Sequence, residues 1–275
     1  MKIVKNVIAT AAMILSCHSI SYANEFVASA DVINVPTVLG VGLALVPDYI
    51  GSNDYKMVPL PFGKYTFAGS QRYVKLTGLE VSFNLLDIPN LYAGPVLNVR
   101  GSRDSNVKDE VIKKMAEIKS GLDVGAFISY DIKDSNPRNK LNFNMKLLAD
   151  ASSEYKGYTL DFDANYWRQA TDRIDCFVGV GTTLGDKKYM DTFFGVNAGN
   201  RGLATVAELS DYKAESGIRD ARVYAGSLYY YNKNWLFGSV LRYQRLQGDA
   251  KDSPVVDSRG SANQAVAALF AAYLW

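Results

Sequence analysis

Few residues of this chain have the chemistry that catalysis usually requires. His18 is the only histidine, and Cys17 and Cys176 are the only cysteines. Ser-His-Asp triads, Cys-His pairs and histidine metal sites all depend on an imidazole ring. Because His18 and Cys17 lie in an N-terminal segment that we expect to be removed, hydrolases that depend on histidine are excluded.

Two features could still support chemistry, a carboxylate pair and a single thiol. Asp161 and Asp163 would lie about 6.5–7 Å apart on one face of a strand. We expect such acids to line a wall or to pair with arginines such as Arg100 and Arg242. Cys176 lies on the apolar face of its segment, which favours a small hydrophobic role over a nucleophilic one. The sequence therefore predicts no enzyme, no catalytic residue, no cofactor and no metal site.

The first 23 residues have the pattern of a secretory signal peptide. Lys2 and Lys5 precede an apolar stretch over 7–15, and the Ser-Tyr-Ala of 21–23 fits a small-x-small cleavage site. Cleavage would leave 24–275 as a single domain. The chain has 30 Lys and Arg and 28 Asp and Glu, so losing two lysines leaves 28 of each. No basic excess then remains to indicate nucleic acid binding.

Apolar and polar residues alternate with a period of two through much of the chain. The pattern is clear over 122–132, 141–147 and 158–166. No stretch after the signal peptide has 18 consecutive apolar residues, so transmembrane helices are not expected. A soluble antiparallel sandwich also alternates, but charges in mid-strand, such as Lys146 and Asp161, favour a water-containing lumen. The pattern predicts strands of a transmembrane barrel with apolar side chains facing lipid.

The C-terminal segment predicts a membrane-crossing strand. Residues 265–275 carry no charge, and a tilted membrane-spanning strand needs about 9–11 residues. Leu269, Ala271, Tyr273 and Trp275 share one face of that strand. This aromatic ending is similar to the C-terminal signal that the barrel-insertion machinery of the bacterial outer membrane recognises. We therefore expect these four residues to form an assembly signal.

Together these patterns predict an all-β protein, a transmembrane antiparallel up-and-down β-barrel in the outer membrane of a Gram-negative bacterium. We expect about twelve strands, and ten or fourteen also fit the pattern. Tyr92, Phe127, Trp167 and Phe177 would point inward, which favours a closed or very narrow barrel. The expected strands are 38–46, 56–68, 72–84, 91–102, 121–132, 140–150, 157–167, 173–184, 205–215, 221–231, 235–246 and 262–275.

One segment, 107–119, departs from the strand pattern and predicts a short helix. It would follow the fourth expected strand and would therefore lie on the periplasmic side, where connections are usually short. Such a helix would either plug the lumen or dock a partner. Its apolar face would be formed by Val107, Val111, Met115 and Ile118, and its charged face by Lys113, Lys114 and Lys119.

Four groups of residues carry a family resemblance. They are 46–55 with 59–61, 93–95 with 100–103, 189–196, and 243–256. The last group contains the run Gly248-Asp249-Ala250-Lys251-Asp252-Ser253-Pro254. In this order they resemble the MipA/OmpV family of outer-membrane proteins and cover most of the chain after the signal peptide.

The resemblance implies a non-enzymatic protein held in outer-membrane lipid. One member of that family is a scaffold that joins a murein lytic transglycosylase to a bifunctional penicillin-binding protein, and others are described as porin-like or adhesive. The function expected from the resemblance is a scaffold that links the outer membrane to these murein enzymes. The alternatives are a small passive pore and a surface adhesin.

Overall fold

A computed structural model describes residues 37–275. Twelve antiparallel strands form a closed barrel, in which β1 and β12 meet. The predicted barrel class is therefore confirmed, whereas the predicted signal peptide, 1–23, lies outside the described residues. The strands are β1 (Val38–Pro47), β2 (Tyr55–Thr66), β3 (Tyr73–Thr77), β4 (Glu80–Asn84), β5 (Leu91–Arg100), β6 (Gly121–Lys133), β7 (Lys140–Asp150), β8 (Tyr158–Thr171), β9 (Ile174–Gly185), β10 (Gly217–Tyr230), β11 (Trp235–Leu246) and β12 (Asn263–Leu274).

The number of strands agrees with the prediction, but two assignments differ. The single strand expected over 72–84 is the β3–β4 hairpin, and Gly78 in its turn has φ +60°. Glycine adopts this left-handed conformation without steric cost, so the chain can reverse there. The prediction of a strand over 205–215 is wrong, because that segment belongs to a long loop that packs on one end of the barrel.

The alternation of burial along the strands confirms which residues face lipid and which face the lumen. In β8 the side chains of Asp161, Asp163 and Trp167 are buried, whereas those of Phe162 and Tyr166 are exposed. The two faces of a strand project in opposite directions, so the charged side chains point into the barrel. Cys176 is exposed on the outer surface, as its position on an apolar face predicted.

Short helices lie in the loops at one end of the barrel. They are α1 (Lys187–Phe194), α2 (Gly248–Asp252) and α3 (Pro254–Asp257), together with a 3₁₀ turn over Ile112–Lys114. Asp186 caps α1, because its side chain accepts a hydrogen bond from the backbone N–H of Tyr189 at 2.9 Å. None of the described helices has the length and apolar character needed to cross a membrane.

The two ends of the barrel differ in the length of their connections. The short connections lie at the end that holds Val38 and Leu274, which we call the turn end: 67–72, 85–90, 134–139, 172–173 and 231–234. The opposite end, which we call the loop end, holds 48–54, 101–120, 151–157, 186–216 and 247–262. In outer-membrane barrels the short turns are periplasmic and the long loops are extracellular.

This arrangement corrects the position predicted for 107–119. The segment follows the fifth strand rather than the fourth, because 72–84 contains two strands. It therefore lies at the loop end and not at the periplasmic turn end. Its regular structure is also shorter than predicted, because only Ile112–Lys114 forms a helical turn.

Outward-facing aromatic side chains form a belt close to the turn end. Trp235 pairs with Tyr273 in the β11–β12 ladder, and their ring centroids are 5.3 Å apart. The rings of Tyr273 and Trp275 stack at 6.2 Å. Amphipathic rings prefer the membrane–water interface, so this belt marks the level at which the barrel meets the periplasmic leaflet. Other members are Tyr65, Tyr130, Tyr166, Tyr229 and Tyr231.

Replacing Trp275 by alanine should impair barrel assembly, if the C-terminal aromatic is an insertion signal as the sequence predicts. The matched control is Trp235→Ala, which removes a ring from the same belt but leaves the C-terminal signal intact. Heat-modifiable migration of outer-membrane fractions would measure the folded share. Equal losses in the two variants would show that the belt matters and the signal does not.

Candidate functional site

The lumen on the side of β8 to β12 is filled by aromatic side chains. Trp167 is fully buried, and its ring centroid lies 4.5 Å from that of Phe177. Phe177 in turn contacts Tyr224, and Phe62 contacts Phe270 edge-on at 5.0 Å. The inward orientation predicted for Trp167 and Phe177 is confirmed, as it is for buried Phe127 and half-buried Tyr92.

Glycines in the wall make room for these rings. A Cβ on Gly179 would overlap the Tyr224 ring, and one on Gly238 would overlap the Phe270 ring. Phe177 occupies the space over Gly226 in the same way, and Phe62 the space over Gly40. The rings lie directly on the wall because these positions have no side chain, so this half of the lumen is closely packed.

A network of charges forms the polar part of the lumen. Arg222 donates to both carboxylate oxygens of Asp163, at 3.0 and 2.8 Å, and contacts Asp220 at 3.2 Å. Its guanidinium also lies 3.6 Å from Asp161, whose carboxylate accepts from Thr183 at 2.5 Å. These charged groups are buried, and proteins tolerate buried charges when they are paired and hydrogen-bonded.

The two aspartates singled out in the sequence therefore pair with Arg222 rather than with the arginines expected. Arg100 instead forms an ion pair with Asp123 at 2.7 Å, and Arg242 donates a hydrogen bond to Gln244. The expectation that the acids pair with lumen arginines is confirmed, although the partners could not be read from the sequence. Asp161 and Asp163 are thus parts of an ion-pair network.

On the side of β3 to β7 the lumen combines a small apolar cluster, Tyr73, Val96, Phe127 and Leu148, with polar and charged side chains. Lys146 of β7 reaches across to Glu80 of β4, with 2.6 Å between Nζ and Oε2. Beside this pair lies a cavity of about 20 Å³, large enough for about one water molecule. Ser82 Oγ and Asn165 Oδ1 border the cavity and, among the described residues, have no hydrogen-bond partner.

The loop end is closed by a lid made of its long loops. A buried cluster joins 48–54, 101–120, 186–216 and 247–262. Burial of apolar surface from four separate loops holds them together as one layer over the lumen. The members of the cluster are Tyr49, Val107, Val111, Ile112, Met115, Val196, Ala204, Leu209 and Val255.

Charged side chains tie the lid loops to one another. Asp109 accepts from the N–H groups of Val111 and Ile112 at 2.9 and 2.8 Å, and its carboxylate pairs with Arg259 at 2.9 Å. Lys114 pairs with Glu208 at 2.6 Å. That hydrogen bond, with one from the backbone of Thr205, lowers the pKa of Glu208 to about 2. The link is therefore present above the ordinary pKa of a glutamate and is lost only as pH falls towards about 2.

The structure thus places the proposed docking face inside the lid. Val107, Val111 and Met115 are buried in the cluster, and Ile118 packs in the main barrel core. Lys113 pairs with Glu110 on the surface at 2.5 Å. Of the two roles predicted for 107–119, the contacts fit the plug, because the apolar face is already covered.

The four residues of the predicted assembly signal do lie together. Leu269, Tyr273 and Trp275 are exposed on the outer face of the barrel, and Ala271 is half-buried between them. Within 37–275, the His, Cys, Asp and Glu side chains form no group that could hold a metal ion. The described acids in the lumen have basic or hydroxyl partners, and Cys176 is exposed on the outer face.

A closed barrel with an apolar outer face, charged residues in its lumen and an aromatic belt is an outer-membrane β-barrel protein. The chain belongs to the MipA family, because residues 39–275 match the family described as MltA-interacting protein MipA. The family resemblance seen in the sequence motifs is therefore confirmed. No curated protein matches the chain.

Several solved barrels are similar to this chain at low identity. An outer membrane channel from Pseudomonas putida F1 is 12% identical with a TM-score of 0.46, over 88% of this chain and 96% of that one. The translocator domain of the autotransporter NalP from Neisseria meningitidis is 9% identical with a TM-score of 0.42, over 98% of both chains. OmpT, an outer membrane protein of Vibrio cholerae, is 9% identical with a TM-score of 0.39, over 87% of this chain and 96% of that one.

The close packing of aromatic rings in the lumen predicts that removing the central ring, that of Trp167, will strongly lower the free energy of unfolding. Trp167→Ala should lower the free energy of unfolding by about 3–5 kcal/mol, because the fully buried indole leaves a cavity. The neighbouring Tyr166→Ala, on the lipid-facing side, is the matched control and should cost clearly less. Urea unfolding in lipid vesicles would measure both. Similar losses in the two variants would contradict close packing of the lumen.

The structure of the lid predicts that substitutions at the neighbouring acids Asp109 and Glu110 will differ in their effect on stability. Asp109→Asn should destabilise the lid by about 1–3 kcal/mol, because the carboxylate charge that pairs with Arg259 is lost and an amide NH2 donor replaces one acceptor oxygen. Glu110→Gln removes only an exposed surface pair and should change stability little. Limited proteolysis within 101–120 should therefore accelerate in the first variant alone. Equal protection of both variants would contradict this role of Asp109.

Proposed function

We propose that this protein is a non-enzymatic scaffold, anchored in the outer membrane, that binds murein enzymes at its periplasmic turn end. The observation that carries the proposal is the filled lumen under a closed lid. Aromatic rings occupy one half of the lumen, paired charges occupy much of the rest, and the lid covers the loop end. A barrel without an open channel is best suited to act through its surfaces.

The description of the matched family supports a murein enzyme as the partner. A MltA-interacting protein is one that binds a murein enzyme, and a protein of the cell wall is reached only from the periplasmic side. The proposed partners are a lytic transglycosylase and a penicillin-binding protein. Since 107–119 lies at the loop end, the docking surface is assigned to the turns instead.

The exposed turns offer charged side chains for such contacts. Arg173 in the β8–β9 turn and Lys233 in the β10–β11 turn are both exposed. These turns are adjacent, because the N–H of Tyr230 donates to the carbonyl of Arg173 at 2.9 Å. Charged groups at the rim of an interface set its orientation and association rate, so reversing them is a direct test.

The alternatives have less support. A passive pore needs a continuous lumen, which the packing of Trp167, Phe177 and Tyr224 opposes. An adhesin would use the loop end, where Leu203 and Val206 are exposed apolar side chains. Two such side chains form a small apolar surface, and the scaffold therefore remains the preferred function.

The test is capture of purified murein enzymes by the detergent-solubilised protein. The natural chain should retain a lytic transglycosylase and a penicillin-binding protein, and the double variant Arg173→Glu, Lys233→Glu should retain at least about tenfold less, the effect of about 1.4 kcal/mol. The matched control, Lys113→Glu with Lys119→Glu, reverses two charges at the loop end and should bind normally. Absence of capture by the natural chain, or loss only in the control, would refute the scaffold.

A further inference from the structure

Four polar side chains lie next to one another on the outer face of the barrel. Arg168 of β8 is the cross-strand partner of Cys176 of β9. Ser227 of β10 lies opposite Cys176 on the other side and opposite Ser239 of β11. Each of the four shares its face with exposed apolar side chains of its own strand. Side chains that face lipid are usually apolar, so this group, which we call the polar row, points to a polar partner in the lipid.

The polar row crosses the aromatic belt. On β8, Arg168 lies closer to the turn end than the belt residue Tyr166 does. On β10 the order is reversed, because Ser227 lies on the membrane side of the belt residue Tyr229, and Ser239 lies beside Ser227 on β11. The belt marks the membrane–water interface. The cation is therefore at the level of the lipid headgroups, and the two hydroxyls lie deeper.

Ser227 and Ser239 form a hydroxyl pair, with 3.2 Å between their Oγ atoms. Their mutual hydrogen bond uses one of the two O–H groups, so the other can donate to an acceptor outside the pair. Hydrocarbon chains supply no acceptor, and an unsatisfied polar group is costly among them. The ester carbonyl groups of a phospholipid lie just below the headgroup and can accept this bond.

An apolar groove of about 860 Å³ extends from Ser239 over the outer face of β12 to β1. Leu241 of β11 and Leu43 of β1 are exposed on its two sides, whereas Ala267 and Ala271 of β12 have small side chains. Leu241 and Ala267 lie farther from the turn end than Ser239 does, so the groove leads from the hydroxyl pair towards the centre of the membrane. Its shape and apolar lining fit one acyl chain.

The acids that lie close to Arg168 have other partners. Asp175 is buried in the lumen, where it pairs with Arg138 at 2.7 Å. Asp134 of the β6–β7 turn accepts from Nδ2 of Asn139 at 3.0 Å. A guanidinium presents its donors in a planar fork that matches the oxygens of a phosphate. Arg168 is therefore suited to an anionic group that comes from the lipid.

We propose that the polar row and the groove together bind one anionic phospholipid of the periplasmic leaflet. Arg168 binds its phosphate above the small side chain of Cys176, the hydroxyl pair donates to an ester carbonyl, and an acyl chain lies in the groove. The wall thus presents cation, hydroxyls and apolar surface in the order in which the lipid presents phosphate, ester and hydrocarbon. This binding site goes beyond the scaffold function, which requires no particular lipid.

Native mass spectrometry of the detergent-solubilised protein tests the site with phosphatidylglycerol as the probe. The natural chain should retain one such lipid, and Arg168→Gln should lower its affinity at least about tenfold, because a charge-assisted hydrogen bond is lost. Ser227→Ala with Ser239→Ala should also weaken binding. The matched control is Arg245→Gln, which removes an exposed arginine from the loop end of β11 and should bind as the natural chain does.

Cys176 reports directly whether the site is occupied, because it lies between Arg168 and Ser227. It is the only cysteine of 24–275, so no other thiol interferes. In phosphatidylcholine vesicles, added phosphatidylglycerol should slow its modification by an uncharged maleimide at least about threefold, since only the unoccupied site reacts. In Arg168→Gln the same lipid should leave the rate unchanged.

Four results would overturn the lipid site. They are equal affinity of the natural chain and Arg168→Gln for phosphatidylglycerol, an equal loss in the Arg245→Gln control, protection of Cys176 that does not depend on Arg168, and equally tight retention of phosphatidylethanolamine. Heat-modifiable migration confirms that each variant is folded before the measurement. Arg168→Gln should leave capture of murein enzymes unaffected, so the two proposals fail separately.

Discussion

The structure depends on one constraint, the need of every backbone N–H and C=O in the membrane to find a partner inside the protein. A closed antiparallel sheet meets it, because β1 and β12 pair along eight positions and leave no edge. Where β2 extends beyond the short β3–β4 hairpin, it has Pro59 and Pro61, which carry no N–H. The residue types in the wall therefore reflect whether a neighbouring strand is present to pair with their backbone groups.

The constraint also explains how much of the fold could be predicted. Lipid on one side and a polar lumen on the other impose a period of two, so the orientation of side chains in β6, β7 and β8 could be read from the sequence. The turn at Gly78 could not, because a reversal inside the membrane leaves the apolar alternation on both sides of it intact. Because this turn adds one strand before 107–119, that segment lies at the end of the barrel opposite to the predicted one. The predicted total of twelve strands was still correct, because the strand wrongly predicted over 205–215 compensated for the one that was missed.

The ion pairs in the lumen and in the lid could not be predicted from the sequence. Arg222 binds Asp163, which is 59 residues away, and Asp109 binds Arg259, which is 150 residues away. Only the closure of the barrel and the folding of the loops bring such residues together. The apolar spacing of Val107, Val111 and Met115 did predict a buried face, and the lid is what buries it. Because this face is covered, the docking surface of a scaffold must be sought among the turns.

The meeting of the two ends of the sheet has a consequence for how the protein folds. Val38 pairs with Leu274, so the contacts that close the barrel join residues from opposite ends of the described chain. Contacts of such high order form slowly, because the entropy of bringing distant segments together must be lost before the contact stabilises anything. Until then β1 and β12 each present an unpaired edge, which can pair with another chain. We therefore expect a sheet that has not yet closed to pair with other chains more readily than the closed barrel does.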